Sequence, residues 1–378
     1  MTSREKLLDR QNRILRAIRH EANDRTPLLM SGDCALLRYS KPDATFAWML
    51  ENMDDMYDII AGKTLPALPK IDYMGGASGL SPRFLGAAFL GTTRLPGKEL
   101  PVNEMWQPVL GGTITEDDYR TIADGGWNRF RDHCLFERLG ISPEEMSKDA
   151  EQTGRNVRKL HEAGYPFLLA PPTPAPFDFL CLGRGPMEFY IDMVTCPDLV
   201  HAAIDAITDE WLEENRNVIP GIVKSAWEDG LATMFSVMPC VYANCDLVSR
   251  DVFEEFGWPL FRRITDLLLE SGAYIFLHLD TNWTAFLDLF SELPKNRCIF
   301  DTDGGTDLHR LLDMHGSRFA ITGNIAPALL AFGTPDEVYR ACRQQIEEMG
   351  SSYILSPACT LPANMPRANF DAMYAAIE

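Results

Sequence analysis

The C-terminal half of the chain alternates short apolar segments with longer amphipathic ones, and this alternation constrains the fold most. The short segments are apolar throughout and not at every second residue, which predicts strands buried on both faces. Five of them follow one another, at 232–237, 274–279, 297–300, 319–322 and 353–356. Strands of this kind, separated by helices, indicate a parallel sheet covered by helices.

Further strands are predicted at 28–30 and 167–170, which brings the pattern close to eight repeated units. That number suits a (β/α)8 TIM barrel, which needs about 250 residues. A doubly wound open sheet is the alternative, but its glycine-rich first turn is absent here. The predicted helices are 116–124, 126–138, 143–163, 186–193, 197–217, 250–271, 284–291, 306–314, 334–349 and 364–377.

We expect one barrel domain over residues 1–378, with two additions to the repeated pattern. An N-terminal helical extension is predicted within 1–25, because its apolar residues recur at helical spacing. Residues 60–112 are rich in Gly and Pro, which predicts an elaborated loop region with a hairpin around 106–112.

The composition narrows the function classes. The formal net charge is −19, so the surface repels nucleic-acid phosphates and anionic membranes. No apolar run approaches the roughly 20 residues that cross a bilayer, and no signal-peptide core is present, so we expect a cytoplasmic protein. The nine cysteines should then be reduced thiols or metal ligands.

Polar side chains follow nearly every predicted strand of the C-terminal half. In a barrel, the carboxyl ends of the strands form one rim, and that rim lines the active site. His278 and Asp280 lie two apart, so they point to the same face of their strand. The predicted rim residues are Cys240, His278, Asp280, Asp301, Asp303, Asn324 and Cys359.

Three rim residues supply ligand types that zinc accepts, namely the imidazole of His278, the carboxylate of Asp280 and the thiolate of Cys359. A catalytic zinc ion keeps one further position for water or substrate, and Cys240 is the candidate fourth ligand. The alternative is a hydrogen-bonded histidine and an inert buried cysteine. We predict a single zinc ion at this set.

Asp301 and Asp303 have three open roles. They suit an outer partner of the histidine, a general acid or base, or caps for the following helix. Asp301, Asp303 and Asn324 are our catalytic candidates. Aromatic residues near the rim either wall a flat ligand or pack in the core; they are Trp106, Phe177, Phe179, Tyr242, Trp283 and Phe300.

Several stretches resemble signatures of the uroporphyrinogen decarboxylase superfamily. Three lie in the C-terminal half, with Gly-Asn-Ile-Ala-Pro at 323–327, Gly-Thr-Pro-Asp-Glu-Val at 333–338 and Ile-Leu-Ser-Pro-Ala-Cys at 354–359. Two more lie near the N-terminus, at 13–18 and 24–27. Members of this superfamily are (β/α)8 barrels, so the resemblance implies the same fold as the strand pattern.

The resemblance is nearer to one of the two branches of the superfamily. Decarboxylases carry an arginine-rich segment after the first strand, which binds the substrate carboxylates. In this chain the corresponding residues, 31–39, contain a single basic residue, Arg38. Corrinoid-dependent methyltransferases carry a zinc motif, His-x-Cys with a distant Cys. His278 and Cys359 match its first and last members, and Asp280 stands where the first Cys is expected.

The resemblance therefore implies a zinc-dependent methyltransferase that moves a methyl group between a small methylated substrate and the cobalamin of a corrinoid protein. The corrinoid would come on a partner, because the Asp-x-His-x-x-Gly segment of cobalamin-binding domains is absent. An oxygen ligand makes zinc a stronger Lewis acid, which favours an ether or amine methyl donor. The alternatives are a decarboxylase of tetrapyrrole synthesis and a non-catalytic corrinoid-binding barrel; a homodimer is a candidate assembly.

Overall fold

The computed structural model describes residues 1–74, 86–166, 173, 175–238 and 240–377, and a parallel sheet of five strands runs through its C-terminal half. The five strands follow the chain order in the sheet, each pairing with the next. A separate antiparallel pair lies in the elaborated region. The strands are β1 Thr92–Arg94, β2 Gln107–Val109, β3 Met234–Val237, β4 Tyr274–Leu279, β5 Cys298–Thr302, β6 Ala320–Ile325 and β7 Tyr353–Pro357.

The large sheet continues from β7 back to the start of the chain. Leu28 pairs in parallel with Leu355 of β7, and Leu29 pairs in parallel with Tyr73. The strand predicted at 167–170 lies outside the described residues, as do residues 75–85 of the elaborated loop region. The architecture is the (β/α)8 TIM barrel that the alternation predicts.

Helices lie between the strands, and caps visible in the sequence begin several of them. The last long helix opens on a capping box, in which Thr334 and Glu337 bond each other's backbone N–H groups. The helices are α1 Ser3–Ile18, α2 Asp33–Ser40, α3 Phe46–Glu51, α4 Met53–Ile59, α5 Leu65–Ala67, α6 Glu116–Gly125, α7 Trp127–Asp132, α8 Pro143–Glu162, α9 Pro176–Arg184, α10 Pro186–Thr195, α11 Pro197–Asn215, α12 Val218–Glu228, α13 Arg250–Val252, α14 Trp258–Glu270, α15 Leu308–His315, α16 Pro327–Phe332, α17 Pro335–Met349 and α18 Arg367–Ala375.

The barrel interior is filled by alternate residues of the strands. Tyr274 and Phe276 of β4, Ile299 of β5 and Ile354 of β7 belong to one buried cluster. These residues come from the amino-terminal parts of their strands, and α1 packs its apolar face into the same cluster. The N-terminal extension therefore closes the end of the barrel opposite the rim.

The structure differs from the predicted elements in several places, and helices α5, α9, α12 and α16 are among the elements that the sequence pattern does not predict. The predicted hairpin at 106–112 contributes only β2, whose antiparallel partner is β1, further upstream. The helix predicted at 284–291 is a 3-10 helix, Thr284–Glu292. The short helices α2 to α4 lie where no helix was predicted, because their packing against the barrel stabilises them more than their own periodicity does.

No helix in the described part of the chain is long and apolar enough to cross a membrane.

Candidate metal centre

The strand period places the predicted residues of β4 to β6 on the inner face of the barrel at its rim. His278 follows Tyr274 and Phe276 on the inward-facing positions of β4. Asp301 lies directly beside His278 in the neighbouring strand, because the two residues are register partners. The apolar residues in the barrel interior and the polar residues at the rim therefore occupy the same inward-facing positions of the strands, every second residue.

His278, Asp280 and Cys359 converge, and we call them the ligand group. Their ligand atoms all lie within 4.8 Å of one another. His278 Nε2 is 3.2 Å from Asp280 Oδ1 and 3.9 Å from Cys359 Sγ. Tetrahedral zinc with ordinary bond lengths would separate these atoms by about 3.4 and 3.6 Å. The three side chains fit a zinc ion with small adjustments.

Asp301 fixes the orientation of the His278 ring. Its Oδ2 is 2.6 Å from Nδ1 of the imidazole, and the carboxylate is almost fully buried. A carboxylate on Nδ1 selects the tautomer whose Nε2 carries the free lone pair. Nε2 is the atom that faces Asp280 and Cys359. Of the three roles open to Asp301, its position matches the outer partner of the histidine.

The electrostatics of the ligand group favour a positive charge at its centre. Burial would lower the pKa of His278, but hydrogen bonds with Asp280, Asp301 and Cys359 outweigh it and hold this pKa well above its usual range. Burial would likewise raise the pKa of Asp280, yet the hydrogen bond with His278 lowers it. The surroundings of Nε2 therefore favour a cation at this point, which a proton or a metal ion could supply.

Four residues other than glycine adopt positive φ angles where barrel strands end. The angles are 68° at Cys240, 68° at Thr281, 77° at Asn324 and 58° at Cys359. This conformation costs about 1–2 kcal/mol for a residue with a Cβ. Such strain gathers at functional sites more often than elsewhere, which supports a site at this rim.

The loop that carries Cys359 is held by the end of the first barrel segment. Ser31 donates its hydroxyl to the carbonyl of Cys359 at 2.7 Å, and Leu361 N donates to Ser31 O at 2.8 Å. Cys359 itself is exposed. Ser31 is a supporting residue that the sequence did not single out, because its partner lies 328 positions away.

Asp303 and Asn324 occupy the rim without touching the ligand group through a hydrogen bond. Asp303 accepts the backbone N–H groups of Thr281 at 2.7 Å and Gly305 at 3.1 Å, so it braces the loops after β4 and β5. The first residue of α15 is capped by Asp307 and not by Asp303. Asn324 Oδ1 is buried and has no hydrogen-bond partner among the described residues.

The structure does not bring Cys240 to the ligand group. Its side chain is fully buried, and its Sγ lies 4.0 Å from the carbonyl oxygen of Gly257, the residue before α14. Burial raises the pKa of the Cys240 thiol well above its usual range, which disfavours the thiolate that zinc needs.

Three of the six predicted rim aromatics, Phe177, Trp283 and Phe300, are fully buried. The other three, Trp106, Phe179 and Tyr242, are partly buried and pack against the same core. Tyr242 lies in the loop after β3. That loop is held by Asp178, a residue that sequence reasoning missed. Asp178 is 1% exposed and accepts the backbone N–H groups of Val241 and Tyr242, each at 3.0 Å. The sequence signal that could have identified Asp178 was an acidic residue shortly after Pro176, where the first turn of α9 begins.

Arg38, the basic residue nearest the first barrel segment, is already engaged. Its guanidinium donates to the carbonyls of Ala44 and Ala363 and to Asn103 Oδ1, at 3.0, 3.1 and 2.8 Å. It also lies over the Phe46 ring, 4.4 Å from the ring centre. These neutral partners give Arg38 a structural role in joining α2 to the loops around it.

The fold and the site together define a (β/α)8 barrel protein with a candidate metal centre on its rim. Residues 167–378, more than half of the chain, match the family model of uroporphyrinogen decarboxylase (URO-D). The chain belongs to the uroporphyrinogen decarboxylase family. Its fold is similar to that of a methyltransferase from Methanosarcina mazei, with a TM-score of 0.66 and 15% identity over 97% of each chain. No curated protein sequence matches the chain.

Proposed function

We propose that the protein is a zinc-dependent methyltransferase that moves a methyl group between a small methylated substrate and a corrinoid protein. The family contains decarboxylase-like and methyltransferase-like enzymes, and the fold likeness to a methyltransferase agrees with the second kind. The observation that carries the proposal is the convergence of His278, Asp280 and Cys359 on one point of the rim. The corrinoid would be supplied by a separate partner.

Each residue of the site has a defined task under this proposal. His278, Asp280 and Cys359 would hold the zinc ion, and Asp301 keeps His278 Nε2 directed at it. Zinc would supply Lewis acidity towards the heteroatom of the substrate that carries the methyl group. Asn324 Oδ1 has an unused lone pair for a donor on the substrate, and Asp303 fixes the rim loops beside it.

The decarboxylase alternative is less well supported by the charges at the rim. A porphyrinogen carries several carboxylates and needs cationic partners. Arg38 is bound to neutral acceptors. The loops after the first barrel segment and after β3, β4, β5 and β7, at 31–32, 240–249, 280–283, 303–307 and 358–366, contain no Lys or Arg. A polycarboxylate would therefore meet carboxylates there.

Metal analysis coupled to a methyl-transfer assay tests the proposal. Wild type should purify with stoichiometric zinc and should transfer methyl groups to cob(I)alamin from one member of a panel of methoxy, methylamine and thiol compounds. His278→Ala and Cys359→Ala should lose zinc affinity by at least about 100-fold, and transfer should fall with it.

Matched variants separate loss of the metal from general damage. His309→Ala removes an exposed histidine on α15, and Cys245→Ser alters a half-buried rim cysteine outside the ligand group. Both should keep zinc and transfer. Wild type without zinc, or Cys359→Ala with intact transfer, would show the proposed mechanism to be wrong. Turnover of uroporphyrinogen III would establish the decarboxylase instead.

A further inference from the structure

Helix α1, which closes one end of the barrel, is positively charged, in contrast with the chain as a whole. It contains five Lys and Arg residues against two acidic residues, whereas the formal net charge of the chain is −19. A cleft of about 360 Å³ lies beside this helix, within the range of about 300–1,000 Å³ that is usual for small-molecule sites. We call it the α1 cleft, and its charged side chains are those of Lys6, Asp9, Arg10, Arg13, Arg25 and Asp72.

The carboxylates at the α1 cleft are all engaged by two of its arginines. Arg13 forms ion pairs with Asp9 at 3.0 Å, with Asp24 at 2.7 Å and with Asp72 at 2.7 Å. Arg25 shares the carboxylate of Asp72, also at 2.7 Å. These two cations and three anions satisfy one another, so none of the carboxylates is left over for another cation of the cleft.

Arg10 is the buried cation of the cleft that has no carboxylate partner. It is 6% exposed, and its Nε, Nη1 and Nη2 donate to the carbonyls of Ile71, Gly164 and Pro69, at 3.0, 2.6 and 3.1 Å. Each terminal nitrogen carries two N–H groups, so each keeps one that no described residue accepts. The Tyr165 ring, whose centre lies 3.8 Å from the guanidinium carbon, holds the group in place.

The pKa values of the two buried arginines reflect this difference. Burial lowers the pKa of Arg10, and the charges of Asp72 and Asp9 nearby do not restore it. Burial also opposes the charge of Arg13, but hydrogen bonds with Asp24 and Asp72 outweigh it and raise the pKa of Arg13. An anion in the cleft would give Arg10 the counter-charge that Arg13 already has.

Lys6 adds a second unpaired cation to the same side of the cleft. It lies four residues before Arg10 on α1, so the two side chains are neighbours on one face of the helix, and both line the cleft. No residue in the described part of the chain forms an ion pair with the Lys6 ammonium. Apolar side chains complete the lining, among them Ala61, Pro66 and Ala163.

We propose that the α1 cleft binds an organic phosphate, a phosphate monoester with a small apolar body, whose head is held by Lys6 and Arg10. A phosphate group has several acceptor oxygens and about −1.5 to −2 charge at pH 7, which suits a guanidinium with two spare N–H groups and a nearby ammonium. A carboxylate offers one charge and two oxygens. This site is separate from the proposed methyl transfer, because α1 closes the end of the barrel opposite the ligand group.

Calorimetry on the full chain with three probes tests this inference. Phenyl phosphate carries the proposed head and body, benzoate replaces the phosphate by a carboxylate, and phenol has no anionic head at neutral pH. We expect phenyl phosphate to bind with a Kd below about 1 mM at low salt, at least about tenfold more tightly than the other two, and less tightly as salt rises. Binding no tighter than that of benzoate or phenol would overturn the inference.

A matched pair of variants on α1 locates the binding. Lys6→Ala removes an exposed ammonium that lines the cleft and should weaken phenyl phosphate by about 3- to 10-fold. Arg4→Ala removes an exposed cation of the same helix outside the cleft and should change the affinity by less than about twofold. Equal losses would mean that the overall charge of α1 attracts the anion without a site.

Arg10→Lys examines the buried guanidinium itself. The variant keeps the charge but loses the planar fork, so we expect affinity for phenyl phosphate to fall at least about tenfold. Thermal unfolding followed by circular dichroism checks that the variant is folded. Unchanged affinity would show that Arg10 only staples the three carbonyls and does not hold the phosphate.

A rim variant excludes the other place where a phosphate could bind, since zinc accepts phosphate oxygens. His278→Ala removes a ligand of the proposed zinc ion and leaves the α1 cleft intact. Phenyl phosphate affinity should stay within about twofold of wild type in this variant. A loss of tenfold or more would place the anion at the ligand group and overturn the inference.

Discussion

Among the single residues, His278 has the most demanding surroundings. Two carboxylates and a thiol contact one imidazole, with Asp301 on Nδ1 and the other two on Nε2. A histidine that served only packing would need one acceptor, as His315 has in the carbonyl of Leu287 at 2.6 Å. The excess of anionic partners around His278 is what a cation at Nε2 would balance.

Asp301 offers the first test at this scale. Asp301→Ala leaves His278 Nδ1 without its acceptor, so the ring is free to turn and the wrong tautomer becomes populated. We expect zinc affinity to fall by about 10- to 100-fold in a competition titration. Asp301→Asn keeps an acceptor oxygen and should lose less; equal losses in both variants would contradict an orienting role.

Asn324 combines an unused amide oxygen with a left-handed backbone, and two substitutions separate these properties. Asn324→Gly removes the amide but relieves the backbone at φ 77°, so methyl transfer should fall while stability holds. Asn324→Ala removes the same amide and keeps the strain, so it should be about 1–2 kcal/mol less stable than the glycine variant.

Activity assays measure methyl transfer in both variants, and urea denaturation measures their stability. Equal stability of the glycine and alanine variants would mean that the loop relaxes out of its left-handed turn. Full activity in Asn324→Gly would mean that the amide does not contact the substrate.

At the scale of the elements, α9 reaches across to the loop after β3 through one buried carboxyl. Asp178 accepts from two backbone groups 63 and 64 positions away. Burial raises the pKa of Asp178 to about 7, although the N–H groups of Tyr242 and Val241 oppose the shift because they favour the charged form. The contact therefore depends on pH.

The sign of that dependence follows from the two states. An unfolded aspartate loses its proton near pH 3.9, whereas folded Asp178 keeps it to about 7. Between these values the folded state binds one more proton, so the contribution of Asp178 to the free energy of unfolding falls as pH rises. The fall should be about 3 kcal/mol between about pH 5 and about pH 8.

Asp178→Asn cannot titrate, so the difference between wild type and this variant isolates the effect. Denaturation of both proteins across this pH window should show a stability difference that shifts against wild type as pH rises. A constant difference would mean that Asp178 is already ionised at the lower pH.

The elements also show where sequence reasoning succeeds and where it stops. β4 and β5 were predictable because strands buried on both faces are apolar throughout, and their period of two also predicted that His278 and Asp280 share a face. α2 to α4 were not, since short helices depend on tertiary packing. Cys240 lies outside the ligand group and in a left-handed turn, which spacing alone does not encode.

At the scale of the whole molecule, the two ends of the barrel differ in polarity and backbone strain. The rim holds strained residues and carboxylates around the ligand group. The other end is closed by α1, whose apolar face joins the interior cluster. Strain at the rim must be offset by stability elsewhere, and the closed end is where buried ion pairs join α1 to the strands.

Asp72 is the centre of that junction, and its removal tests it. The carboxylate is fully buried and accepts from Arg13 at 2.7 Å, from Arg25 at 2.7 and 2.9 Å, and from Leu28 N at 3.0 Å. Asp72→Ala removes the buried acceptor shared by both arginines and the Leu28 N–H; Arg13 keeps its ion pairs with Asp9 and Asp24, whereas Arg25 loses its carboxylate partner. We expect a loss of about 3–5 kcal/mol in the free energy of unfolding.

Asp54→Ala is the matched control for this loss. Asp54 also contacts two cations, Arg155 at 3.2 Å and Lys159 at 3.8 Å, but its side chain is 41% exposed. Water screens such pairs, so this variant should lose less than about 1 kcal/mol. Urea denaturation with zinc chelated avoids the stabilisation that a bound ion would add. Similar losses in both variants would mean that α1 is held by its apolar face, with Asp72 contributing no more than a surface pair.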